Sequence, residues 1–248
     1  MKQSSFSKKR IIHIYVIVFI IVMIILIATL LMFKYHVEGE KNLPFNLKTI
    51  NIISTAESSI NADEQGLWHA NILQKNDVFF VIEKNNNYKK EEAIKKISFE
   101  NFRIVKKNDN MVISIYRPNT SADDYTYSDE YKIENNLEYQ GGLNTNTEVL
   151  QINNQGGLIG FSITSDNIGE YVFEGNERLP GDGRLISKAN INLEDIKFEV
   201  YFDMIIETEG EHKFKSNLKL DLPTGNILED GVGILEDNKL ESVIFKRF

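Results

Sequence analysis

The chain contains no cysteine. Disulfides, thiolate metal sites, a Cys nucleophile and an acylated lipoprotein cysteine are therefore excluded, and there is no disulfide partner to seek. Any folded part must hold together by core burial alone. Acidic residues are also missing from one place: the first 33 residues carry no Asp or Glu, although Lys2, Lys8, Lys9 and Arg10 stand among the first ten. Catalytic and metal signatures are absent as well. There is no HExxH, no G-x-S-x-G elbow and no EF-hand loop, and His36, His69 and His212 lie at no ligand spacing. Gly231-Val232-Gly233 lacks the third glycine of a dinucleotide loop and reads as a turn. No metal and no cofactor is expected. Trp68 is the single tryptophan, and its expected place is the core.

What is present begins with Ile11–Phe33, an apolar run of 23 residues without a charge. About 20 apolar residues at ~1.5 Å rise cross a ~30 Å hydrocarbon core. No water there satisfies backbone groups, so the run must be helical and its partner is membrane lipid. Basic flanks stay cytoplasmic. That places residues 1–10 as a basic cytoplasmic tip and everything beyond about residue 34 outside the plasma membrane. A cleaved signal peptide would have an apolar core of about 7–15 residues ending in small residues. Here Ala28–His36 reads ATLLMFKYH, so an uncleaved signal-anchor is expected. Type IV pilins share a basic leader and apolar helix, but the Gly before the helix and the Glu in its first turn are missing here.

Residues 34–43 form a short polar stalk, and 44–248 the exported domain. After Phe33 there are 24 basic and 36 acidic side chains, a net charge of −12 against +4 for the tip. Such a surface repels phosphate backbones, which excludes nucleic acid as a partner. It also disfavours anionic lipid head groups and anionic wall polymers. The expected partner is an envelope protein or wall component close to the membrane.

The domain reads as an antiparallel β-sandwich. Phe198, Val200, Phe202, Met204 and Ile206 alternate with more polar positions, Glu209-Gly210-Glu211 turns the chain, and Phe214, Leu218, Leu220 and Leu222 answer on the return. Further strands are expected at 47–54, 68–73, 78–83, 97–105, 111–116, 149–153, 158–164, 170–173 and 240–246. Turns are expected at Asn76-Asp77 and Gln155-Gly156-Gly157. At most one short helix is foreseen, Lys89–Lys96, where Glu91–Lys95 and Glu92–Lys96 form i,i+4 pairs. A faint echo between ISFE at 97–100 and IKFE at 196–199 allows two similar halves, about 44–120 and 147–248.

Between those halves lies a polar, Tyr-rich stretch, Asn119–Thr147, unusually long for a compact domain. Tyr125, Tyr127, Tyr131 and Tyr139, with Asp123, Asp124 and Asp129, could present stacking faces and acceptors to a sugar or peptide. Tyr also finishes half-buried sheet edges, and that structural role is the favoured reading, with the ligand face as its alternative. Glycoside hydrolysis would need two carboxylates ~5–10 Å apart, and 36 acids single out no such pair.

The basic tip, the anchor, VEGEKNLPF, ISTAE, EKNNNY, NNQGGLI, LDLPTGNI and VIFKR together resemble a clostridial-type group of uncharacterised single-pass membrane proteins of low-GC Gram-positive bacteria. The resemblance covers nearly the whole chain. It implies a bacterial cell envelope and a wall-facing domain, and it transfers no catalytic or binding residue. The expected function is non-catalytic binding or scaffolding at the outer face of the membrane. The alternative is a wall-active hydrolase with a carboxylate acid/base pair.

Overall fold

The computed structural model describes residues 3–88, 90–120, 125–142, 149–175, 177–237, 240 and 243–248, with side chains from Ile11 onward. Two compact units result, residues 1–41 and 42–248. The first is one helix, α1 (Gln3–Glu38), and every side chain from Ile11 to Glu38 is exposed. The segment Ile11–Glu38 is long and apolar enough to cross a bilayer. A helix that is apolar on all sides has no preferred face to bury against a single neighbour, which suits a lipid surround.

The second unit is a β-sandwich. In chain order its strands are β1 (Phe45–Ala62), β2 (Leu67–Lys84), β3 (Ile94–Lys106), β4 (Val112–Tyr116), β5 (Asn136–Gly141), β6 (Gln151–Ile152), β7 (Gly156–Glu174), β8 (Phe198–Thr208), β9 (Lys213–Leu222), β10 (Gly233–Asp237) and β11 (Lys246–Arg247). One sheet has the order β10-β1-β2-β7-β4 and the other β11-β9-β8-β3-β5-β6. All pairs are antiparallel except β5–β6. Strands from both halves of the sequence enter both sheets, so residues 42–248 are one unit and not two modules.

The sheets meet through four phenylalanines. Phe80 and Phe161 come from the first sheet, Phe99 and Phe202 from the second, with centroids 4.9 Å apart for Phe80–Phe99 and 5.4 Å for Phe161–Phe202. All four are buried, and each such side chain contributes about 1.5–3 kcal/mol of transfer free energy. The β8–β9 hairpin forms as its alternation requires, with Phe198 opposite Leu222 and Ile206 opposite Phe214.

Several expectations are corrected. No helix covers residues 90–96: β3 starts at Ile94, because Ile94, Ile97 and Phe99 are buried only as a strand. Lys95 and Lys96 reach across strands to Glu207 (2.6 Å) and Glu138 (3.0 Å) instead of along a helix. Helical turns occur elsewhere and number more than one: α2 (Arg184–Lys188), α3 (Leu193–Ile196) and α4 (Ile227–Asp230). Asn76-Asp77 is no turn but the middle of β2, and the reversal lies at Asp63–Gly66. A turn does follow Asn153, but it joins strands of opposite sheets. Where one strand was expected over 240–246, the described residues contain only the two-residue β11. Trp68 is 40% exposed and stacks on Phe173 at 6.5 Å, near the free end of the β1–β2 hairpin.

Candidate functional site

After β4 the chain turns back along that strand. Tyr116 bridges to Lys132 and Pro118 to Tyr125, while the Ile133 N–H donates to the Ile115 carbonyl at 2.7 Å. This return covers the β4 edge and lays Tyr127 on the outer face of the first sheet. Its ring packs edge-on against Tyr116 at 5.2 Å, and Lys75 Nζ sits 4.4 Å from its centroid. The Tyr127 hydroxyl lies 3.1 Å from Ser162 Oγ, and Ser162 donates to Asp77 Oδ1 at 2.6 Å. Lys75 also donates to Glu57 at 2.8 Å.

A serine, a lysine and a tyrosine in contact invite comparison with an activated nucleophile, but their protonation states oppose it. Burial pushes Lys75 down, yet Glu57 and Tyr127 outweigh burial and hold it above its ordinary value. Burial pushes Tyr127 up, more than the Ser162 contact lowers it. Both therefore keep their protons at neutral pH, Asp77 holds the serine proton, and Ser162 is fully buried. A hydroxyl so placed has no room for substrate, and neither Lys75 nor Tyr127 is in a form that could take its proton. The cluster is a polar clasp that seats the loop.

The proposed ligand residues part company here. Tyr125 lies 6.5 Å from Tyr127, and Arg117 covers the Tyr131 ring at 4.9 Å. Both are half-buried at this edge, and Asp129 opens an exposed 3-10 turn beside them. Tyr139 is elsewhere: on the inner face of β5, 4% exposed, its hydroxyl engaged by Gly160 and its pKa pushed up by burial. It offers no ring to a ligand. Asp123 and Asp124 lie outside the described residues.

Among the described residues no cluster of three or more His, Cys, Asp or Glu is placed to hold a metal ion. Burial raises Asp166 above the ordinary carboxylate range, with Lys132 opposing. It lines neither of two open clefts of about 310 Å³. One cleft is framed by Val105, Phe198, Leu222 and Pro223 with Lys106, Lys107 and Lys197 on its rim. Lys106 is held by the carbonyls of Asp109 and Met111, and Glu194 engages Lys107 and Lys197, which leaves no unengaged cation there.

The other cleft escaped the reading of the sequence. It opens between β10 and β9, where the two sheets part, and is floored by Ile50, Ile52, Leu218 and Leu220. The apolar pair Ile234-Leu235 directly after Gly231-Val232-Gly233 was the available signal, masked by the glycines. Gly231 is a left-handed helix cap and Gly233 is the first residue of β10, where a Cβ would lie 1.8 Å from the Thr224 carbonyl oxygen. Ile234 is 68% exposed and its cross-strand neighbour Ile53 37%. Together they form an apolar strip on the outer sheet face beside the cleft. No protein-family model, curated protein or solved structure matches this chain.

Proposed function

We propose that this is a single-pass membrane protein whose β-sandwich lies outside the plasma membrane and binds or scaffolds an envelope partner without catalysis. The observation that carries the reading is the apolar surface along β10, against whose outer edge no strand lies among the described residues, with Ile234, Leu235 and Ile53 exposed beside an apolar cleft. Exposed apolar surface at a sheet edge is what a binding module presents. Orientation rests on the charge asymmetry across the apolar helix, +4 before it and net acidic after it. The resemblance to clostridial-type membrane proteins supports a bacterial envelope. The rival reading, a wall hydrolase, would need a paired acid and base, and the raised carboxylate of Asp166 has Lys132 for its charged neighbour.

Single-Cys labelling in intact cells tests the topology, and the cysteine-free chain makes it clean. Cysteines introduced after residue 41 should react with an impermeant maleimide, and those at positions 2–9 should not. The reverse pattern would refute the orientation. Photo-crosslinking residues placed around the sandwich should then join it to a neighbour, and a domain that crosslinks from no face is not a binder.

A further inference from the structure

The cleft framed by Val105, Phe198, Leu222 and Pro223 lies where three strands of the second sheet have their ends side by side. The outermost pairs there are Lys106 with Phe198 and Phe198 with Leu222. Val105 is 44% exposed and forms the accessible part of the apolar wall. One further step of the β3–β8 register sets Lys107 beside Lys197. Like charges so placed repel, and Glu194 answers by reaching both, Lys107 at 2.9 Å. Lys106 has no such answer. Its ammonium donates to the carbonyls of Asp109 and Met111 at 2.9 and 2.5 Å, and these are neutral acceptors. The rim lysines are therefore engaged but not neutralised: three ammoniums share one carboxylate, and among the described residues no other acid comes within ion-pair reach of them.

We propose that this cleft binds a small organic carboxylate, its anion held by the rim lysines and its apolar body laid against Val105. The site is separate from the β10 surface and does not depend on it. An ammonium carries three donors. Lys106 uses two on carbonyls, and Lys107 and Lys197 use one each on Glu194, so every lysine of the rim keeps an N–H for an incoming anion. The two carbonyls also fix Lys106 in advance, which lowers the cost of ordering it around a ligand. Glu194 displays the chemistry. It is a carboxylate already seated between Lys107 and Lys197, on a side chain 55% exposed and free to swing aside. The acids on the opposite wall do not cancel the rim, because Glu199 and Asp221 are both held by Lys219, at 2.7 and 2.9 Å. Arg103 adds a further cation there, 4.3 Å over the Tyr201 ring. The net acidity of the whole domain matters little at this range, since charges beyond ~8 Å are largely screened at physiological salt. A volume of about 310 Å³ stands at the small end of organic-ligand pockets, ~300–1,000 Å³, which limits the body to a short chain or a single ring.

The test uses the full chain in nanodiscs of neutral lipid, titrated with phenylbutanoate and followed by the amide NMR signals of residues 105–107, 197–199 and 221–222. Saturable shifts confined to these strand ends are expected. Phenylbutylamine has the same body with the opposite charge and should bind roughly tenfold more weakly or worse. Replacing Lys107 and Lys197 together by methionine should weaken phenylbutanoate by about tenfold as well. Glu194→Gln removes the resident carboxylate from an exposed turn and should tighten binding about threefold or more, a gain that no damage to the fold would produce. Signals elsewhere in the spectrum, unchanged, verify that each variant is folded. No saturable shift, equal binding of the amine, indifference to the paired lysine replacement, or a Glu194→Gln chain that binds no tighter would each overturn the proposal.

Discussion

The Tyr139 hydroxyl closes the backbone of Gly160, accepting its N–H at 3.2 Å and donating to its carbonyl. The two residues belong to opposite sheets. β4 pairs with β7 only as far as Tyr116 opposite Ser162. Continuing that register would place Pro118 opposite Gly160, and proline has no N–H to give. The phenol completes the ladder where the strand cannot. Tyr139→Phe keeps the packing and strands two buried backbone groups, so it should cost about 1–3 kcal/mol. Denaturant unfolding of residues 42–248 in the full chain measures it, and an unchanged midpoint would contradict the assignment.

The outer face of the second sheet predicts acid sensitivity. Lys95 holds Glu207 below its ordinary 4.5, and Lys219 does the same for Glu199. Lys197 and Lys107 take Glu194 down to about 2. Burial pushes Asp203 up, but Lys215, Asn101 and Asn217 together outweigh it and leave it lowered. Carboxylates with depressed folded values contribute stability that is complete above their unfolded values and lost as pH falls through the folded ones. Urea midpoints should therefore hold from neutrality to about pH 5 and fall steadily toward about pH 2. Asp203→Asn should flatten that decline, because one of the linked protons is removed.

How much of this was legible depends on which force dominated each segment. The β8–β9 hairpin was readable because Phe198 to Leu222 obeys period two on a face buried only on one side. Residues 90–96 misled because local helix propensity and Glu–Lys spacing yield to burial of Ile94 and Ile97, a tertiary effect. Asn76 misled for the opposite reason. A polar residue that looks like a turn is fully buried in β2, where Gln74 and Ser54 satisfy it. The Tyr-rich loop stood out by composition, but Tyr127 serves as a clasp and Tyr139 as a ladder plug, roles set by partners some 20 to 50 residues away. The β10 cleft depends on where two sheets separate, and no window of sequence contains that.

His69 lies between two acids at the end of the β1–β2 hairpin, with Nδ1 2.9 Å from Glu170 and Nε2 3.4 Å from Asp63. Glu170 first and Asp63 second raise its pKa above the ordinary 6.5. A raised folded value contributes stability that is complete below 6.5 and lost as pH climbs through the folded pKa. The His69 ring should titrate by NMR with a midpoint above 6.5. Amide exchange at Leu67–Asn71 should quicken over the same interval, and Glu170→Gln should lower the midpoint. A midpoint at or below the ordinary value would deny the clamp.

Ser162 supplies the sharpest test between binding and catalysis. Its O–H donates to Asp77 at 2.6 Å, the neighbouring Tyr127 and Lys75 both keep their protons, and no solvent reaches it. A fluorophosphonate probe, which needs an accessible and activated hydroxyl, should leave the chain unlabelled from pH 6 to about pH 9. Tyr127→Phe removes the contact to Ser162 at 3.1 Å but leaves the Ser162–Asp77 bond. It should therefore cost only about 1 kcal/mol, with Tyr116 still packed against the ring. Lys75→Met removes the cation from the ring and from Glu57, whose side chain is 52% exposed and can turn to water, so its cost should also stay near 1 kcal/mol, roughly that of a partly exposed pair. Labelling at Ser162, or its abolition by Lys75→Met, would identify a working nucleophile under the loop and restore the hydrolase reading.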